Sequence, residues 1–451
     1  MPDWRLVAFF TLVAILLGIS SSMASQSEYI SDERPAPGSV KEERDPISTA
    51  FEKEEKRPSF FPKLKQRLDT LRPFWRDTQL SLKVRSYYFN RDNEGAGINK
   101  AWALGGALKY ESGWWKNRFQ LGLVGYTSQK LYGPEDSDGT QLLKPDQESF
   151  SVLGQAYVAT RILDDIHLRL FRQTFNLPYV NKQDSRMVPN TFEAFLLRGK
   201  SVHNTDFIVG HVTKMKKRNA SKFEYMSEAA GFNKTNEGLT LAGARYSFRE
   251  GINIGAVTEY GWDLWNTVYA EGNATLELSD RLGLKVSAQY TDQRSTGDEL
   301  DGDFSTYAFG GKIAVSYLGA ILTLAVTSTD NERGTQSPFG GHPGFTSLMI
   351  KDFNRAGENA FLVGLSSDFS SLELTGLSAF INYARGNTRN SGMNASPDQE
   401  EFDITVDYHF SRSPLKGLWL RFRAGFLDQE GPGSQDVEDF RIILNYEIPI
   451  L

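Results

Sequence analysis

The final dozen residues alternate so strictly that they constrain the whole chain. Phe440, Ile442, Leu444, Tyr446, Ile448 and Ile450 fall on one face of an extended segment. Arg441, Ile443, Asn445, Glu447, Pro449 and Leu451 fall on the other. A strand of this kind left at the edge of a soluble sheet invites pairing with another chain. A closed barrel has no edge, because its last strand pairs with its first. The expected fold is therefore all-β: a closed antiparallel transmembrane β-barrel, with apolar faces toward lipid and mixed faces lining a pore.

Composition agrees indirectly. Mean hydropathy is −0.41, which reads as soluble, but barrel strands escape that measure because half their residues face water. Aromatic residues make up 12% of the 451, with 30 Phe, 18 Tyr and 8 Trp, enough to form girdles at both membrane interfaces. With no cysteine, the chain has no disulfide, thiolate metal site, cysteine nucleophile or lipidated N-terminal Cys. A net charge of −6 argues against nucleic-acid binding, and no cofactor is expected.

The one long apolar run is at the start. Leu6 to Ile19 reads as the core of a signal peptide spanning 1–24, with Ser22, Met23 and Ala24 ahead of cleavage at Ser25. It is short for a transmembrane anchor, which needs about 20 apolar residues. Residues 25–71 read as a charged, largely disordered periplasmic tail, in which Pro35, Pro37, Pro46 and Pro58 interrupt charge runs. Its end carries a helical period in Leu64, Leu68, Leu71 and Trp75, expected either to pack on the barrel mouth or to stay solvated. Residues 72–451 form the barrel domain.

From about residue 79 the period-2 pattern recurs. Leu80, Leu82 and Val84 alternate with Ser81, Lys83 and Arg85; Leu282, Leu284 and Val286 with Lys285 and Ser287. Phe402, Ile404, Val406 and Tyr408 alternate with Asp403, Thr405, Asp407 and His409; Leu418, Leu420 and Phe422 with Trp419, Arg421 and Arg423. Short turns at 249–251, 279–281 and 318–319 contrast with long polar stretches at 130–148, 291–304, 328–359 and 386–400. Short turns on one side and long loops on the other are the outer-membrane pattern.

Several segments resemble the OprD family of outer-membrane porins, in the family's order. Arg72 to Thr78 running into Leu82 to Asp92 is similar to its opening, as are Ala101 to Gly105 and Tyr110 to Trp115. Asp184 to Phe192 resembles its constriction-loop motif, and Phe345 to Glu358 a second inward-folded loop. Leu415 to Arg423 and Asp439 to Tyr446 are similar to its closing strands. The resemblance implies an 18-stranded monomeric-pore barrel in the outer membrane of a Gram-negative bacterium. It further implies selective uptake of small, often carboxylate-bearing nutrients. The expected surroundings are the lipid bilayer and lipopolysaccharide, with the barrel-assembly machinery as partner during biogenesis. The chain departs from the family in its longer tail and in ending on Leu451 rather than an aromatic residue.

Closure places 418–426, 440–451 and 79–89 side by side. Their lumenal positions hold Arg421 and Arg423, then Arg441, then Lys83 and Arg85, a basic ladder in one stripe of wall. Rungs two residues apart are about 6–7 Å apart, and Arg grips a carboxylate through two parallel hydrogen bonds. Arg441 is expected to sit highest. The competing reading has these cations pairing with acids such as Asp403 and Asp407; partial pairing suits both. The resemblance places Asp184, Ser185 and Arg186 at the constriction, with Ser347 and Tyr179 as further candidates. Arg186 could instead pin its loop to the wall, and Leu177-Pro178-Tyr179 could be a structural turn.

Enzymatic readings find little. Five histidines (His167, His203, His211, His342 and His409) occur without a His-Glu-x-x-His or Gly-x-Ser-x-Gly motif. The acidic runs Asp298 to Asp303 and Asp136 to Gly139 read as solvated loops rather than Ca²⁺ sites. A selective channel leads, a general diffusion porin of the same fold follows, and a barrel hydrolase comes last.

Overall fold

Tight reversals alternate with long excursions, and the reversals show how the wall is built. At Leu318-Gly319 both residues have positive φ, 49° and 84°, the twist that joins two antiparallel strands without splaying them. Comparably short links join strands Ile166–Gln173 to Phe150–Leu163, and Ile252–Gly261 to Leu239–Arg249. The computed structural model describes residues 60–451 except 234, 390, 391, 393, 412–414 and 432. The expected signal peptide and residues 25–59 of the expected tail lie outside the described residues.

Eighteen long strands form one antiparallel meander, from Gln79–Asn93 to Val437–Pro449. The last pairs with the first from Ser81↔Pro449 to Asn93↔Val437, which closes the barrel. A two-residue strand, Glu224–Tyr225, pairs only with Thr205–Lys216 and takes no part in closure. Alternation holds as expected. On the last strand Arg441 and Ile443 are buried while Ile442 is exposed. Leu108, Leu123, Ile254, Ile313, Leu324 and Phe422 are likewise open on the outer face, an apolar surface that water would not tolerate and lipid solvates.

Strands run further than the alternation suggested. Phe119–Tyr132, Leu282–Ser295 and Asp398–His409 extend into stretches expected to be loop. Beyond the bilayer both faces meet water, so pairing continues after the apolar alternation has ended. Ahead of the first strand, the single helical period resolves into two helices, Pro62–Asp69 and Pro73–Arg76. Pro73 forces Arg72 into an extended conformation (ψ 154°) and breaks the helix there.

Two long connections, 174–190 and 330–358, fold into the lumen. Phe175, Leu177, Tyr179 and Val180 from the first and Phe339 from the second pack on the wall residues Phe192, Leu196, Val257 and Tyr269. One sector of the inner wall is therefore apolar, and the loops bury it.

Candidate functional site

The ladder is built by register. Across the closing seam Lys83 faces Glu447, Arg85 faces Asn445, Phe89 faces Arg441 and Arg91 faces Asp439. On the other side of the last strand Arg421 faces Ile443 and Arg423 faces Arg441. Arg441 and Arg423 therefore stand abreast, so the expectation that Arg441 sits highest is corrected. Antiparallel pairing sets them level, with Arg421, then Arg85, then Lys83 on successive rungs.

Most rungs already hold partners. Arg441 grips Asp439, two residues away on its own strand, through Nε and Nη2 at 2.8 Å each, and its guanidinium lies 4.9 Å from the Phe89 ring. Arg421 grips Asp407 at 2.6 and 2.8 Å and stacks over Trp419 at 4.6 Å. Arg85 donates to Asp184 Oδ1 (2.8 Å), to Asn445 Oδ1 (2.7 Å) and to the carbonyl of Arg186. Lys83 lies 3.7 Å from Asp184 and keeps its side chain 23% exposed. Arg423 differs. Its Nε donates to Thr405 Oγ1 at 3.1 Å, and among the described residues no carboxylate comes within ion-pair distance.

Asp184 fastens the first inward loop to the ladder. Burial alone would raise its carboxyl, but Arg85 and Lys83 outweigh that and hold it below its ordinary value of 3.8. Ser185 accepts a hydrogen bond from Arg218 Nη1 at 2.8 Å. Arg186 is buried, donating Nε to Thr140 O and Nη1 to Ser185 O, both at 2.8 Å, beside the Phe89 ring at 5.0 Å. Arg186 and Arg218 thus knit the 133–149, 174–190 and 217–238 connections together.

The two remaining candidates do not present free polar groups to a passage. Tyr179 is 2% exposed and gives its hydroxyl to Thr291 Oγ1 at 3.0 Å. It belongs to the apolar contact between loop and wall, because the Leu177-Pro178 turn tucks it inward. The buried Ser347 hydroxyl is turned to Asp352 within its own loop.

Sequence reasoning missed the fastening of the second loop. Met349 N donates to Asp403 Oδ2 (2.9 Å), Ile350 N to Glu401 Oε1 (2.6 Å) and Lys351 N to Glu401 Oε2 (2.8 Å). Gly425 faces this contact, and a Cβ there would press on Met349 and come 2.7 Å from Asp403 Oδ1. The two loops also meet, through Gly341 N to Asn181 Oδ1 at 2.8 Å. Glu401 and Asp403 share the period-2 face of Asp407, and Asp439 shares that of Arg441, so their inward direction was legible; their partners were not.

A family model described as outer membrane porin, OprD family, matches residues 72–450. Porin D of Pseudomonas aeruginosa is 25% identical over 411 residues, covering 84% of this chain and 92% of that protein. The porin-like protein GalP of Pseudomonas putida is 21% identical, covering 83% and 93%. Among solved structures, OccK9 (OpdG) of Pseudomonas aeruginosa superposes with a TM-score of 0.77 at 25% identity, covering 84% of this chain and all of that one. OpdK of the same species, solved with vanillate, gives 0.75 at 22%, covering 83% and 99%. Closed barrel, inward loops and family match agree: the chain belongs to the OprD family of outer-membrane porins, substrate-specific channels rather than enzymes.

Proposed function

We propose that this channel passes small hydrophilic solutes bearing a carboxylate, and that Arg423 is the rung they meet with its charge least spent. The observation that carries this reading is the contrast at one level of the wall. Arg441 is locked to Asp439, while Arg423 beside it is half-buried and, among the described residues, hydrogen-bonds a threonine and no carboxylate. A fixed cation with no carboxylate at ion-pair distance among the described residues attracts anions in a narrow aqueous passage, and its guanidinium offers a carboxylate two parallel hydrogen bonds. Lys83, partly exposed, and Arg85 stand on the rungs below, where Asp184 ties the first inward loop to them; with Ser185 and Arg186 that loop narrows the passage beside the ladder. The relative OpdK was solved with vanillate, an aromatic carboxylate, which is in keeping with this substrate class.

The test is Arg423→Gln in planar bilayers and liposomes. Reversal potential in a salt gradient should move toward cations, more at low salt where screening is weak. Carboxylate flux should fall severalfold while neutral solutes of equal size are unaffected. Arg421→Gln should move selectivity less, because Asp407 already cancels its charge. If Arg423→Gln leaves both ion preference and carboxylate flux unchanged in folded barrels, the carboxylate reading is withdrawn. Flux that never saturates would instead favour general diffusion.

A further inference from the structure

Residues 60–78 run along the short-turn rim of the barrel and are stitched to it at both ends. Phe60 N donates to Pro449 O at 2.6 Å and Phe61 N to Ile450 O at 3.3 Å. These bonds use the edge of the last strand where its pairing with the preceding strand, which ends at Leu418↔Tyr446, has stopped. At the other end Gly113 N donates to Phe74 O at 2.9 Å, in the turn after the second strand. The segment therefore crosses the closing seam between last and first strands.

Its helices, Pro62–Asp69 and Pro73–Arg76, contain no buried residue. The side chains that should hold them lie open: Phe60 is 65% exposed, Leu64 44%, Leu71 49% and Trp75 52%. A two-turn helix has little stability of its own in water, and this one gains little from the barrel. Charge indicates what supplies the missing contact. Residues 60–77 hold Lys63, Lys65, Arg67, Arg72 and Arg76 against Asp69 and Asp77, in a chain whose net charge is −6. Both acids are matched, Asp69 to Lys65 at 3.5 Å and Asp77 to Arg76 at 2.9 Å. Lys63, Arg67 and Arg72 meet no carboxylate among the described residues. The neighbouring turn repeats the pattern, with exposed Trp115 and Phe119 and with Lys116 Nζ 4.8 Å from the Trp115 ring. Above it the lipid-facing belt begins at Leu108, Leu121 and Leu123.

We infer that residues 60–76 are an amphipathic membrane anchor lying in the phospholipid headgroup layer at the periplasmic rim. Phe60, Leu64, Leu71 and Trp75 enter the acyl boundary, and Lys63, Arg67 and Arg72 meet anionic headgroup phosphates. Aromatic and aliphatic residues flanked by cations that meet no carboxylate among the described residues are what that layer binds. The apolar side continues the belt of the barrel wall, so a single bilayer covers both. The anchor clamps the seam whatever solute the channel carries.

Because the chain has no cysteine, single nitroxide labels report on it directly. Full-length protein with Leu64→Cys is labelled and placed in vesicles of phosphatidylcholine and phosphatidylglycerol. Ile442→Cys on the belt serves as the lipid reference and Glu94→Cys on the opposite rim as the water reference. The label at 64 should collide with oxygen about as often as that at 442, and with a water-soluble nickel chelate severalfold less often than that at 94. A label at Gln66→Cys, on the opposite side of the helix, should behave like that at 94. Changing Lys63, Arg67 and Arg72 together to Gln should raise nickel access at 64, more in vesicles rich in phosphatidylglycerol than in phosphatidylcholine alone. Nickel access at 64 equal to that at 94 overturns the anchor, and so does shielding from both reagents, which would place the segment in the pore or against another protein. If Leu64→Cys fails to show the heat-dependent gel shift of a folded barrel, Trp75→Cys and Phe61→Cys carry the same comparison.

Discussion

The two inward loops are fastened to the same wall by opposite chemistry. The 174–190 loop offers a carboxylate, Asp184, to wall cations Arg85 and Lys83. The 330–358 loop offers backbone N–H groups to wall carboxylates Glu401 and Asp403. The first fastening cancels positive charge that a solute would otherwise meet. The second engages acids that stand near Arg423, and among the described residues that guanidinium has no carboxylate at ion-pair distance. Which wall charges stay available is therefore decided by the loops as much as by the wall.

Breaking the second fastening should have the largest effect. Glu401→Ala with Asp403→Ala removes the acceptors of three backbone donors, and each buried donor left unpaired costs about 1–3 kcal/mol. The loop should leave the wall and single-channel conductance should rise severalfold. An unchanged conductance would mean that other contacts suffice, such as the pairing of Arg355 with Glu358 (2.7 Å) at the loop's end.

Asp184→Asn comes next. It strands the buried Arg85, a change of about 3–5 kcal/mol by analogy with other broken buried pairs, softened by Asn445, which still accepts from Nε. Reversal potential should move toward anions, opposite in sign to Arg423→Gln; a shift toward cations would contradict the cancelling role. The pH sense is also fixed. A carboxyl held below its ordinary 3.8 contributes its full stability above that value and loses it as pH falls through the lower folded value. The first fastening should thus stay intact from neutral pH to about 5, as read from current noise in folded barrels.

Arg186→Ala should have the smallest effect on ion preference. Its guanidinium is buried and spent on Thr140 and Ser185 carbonyls, so the expected result is noisier current from loosened loops with selectivity little changed. A selectivity shift as large as that of Arg423→Gln would place Arg186 on the solute path instead.

The sequence by itself determined which side of each strand meets lipid and which meets the lumen. That is a local property: the pleat alternates every residue, and one apolar face in two reveals it. The inward direction of Lys83, Arg85, Arg421, Arg423 and Arg441 followed from that alternation, and closure of the last strand on the first followed from the pattern and the family resemblance. Tertiary structure decided what those side chains touch. Arg85 meets Asp184 across 99 residues of chain, and Arg423 stands level with Arg441 because of register at a particular seam. Tyr179 and Ser347 carry polar groups that the sequence could place in a loop but not orient; folding spent both on internal contacts. Alternation repeats along a strand whatever lies opposite, whereas an ion pair exists only once the barrel has closed and brought its two charges within reach.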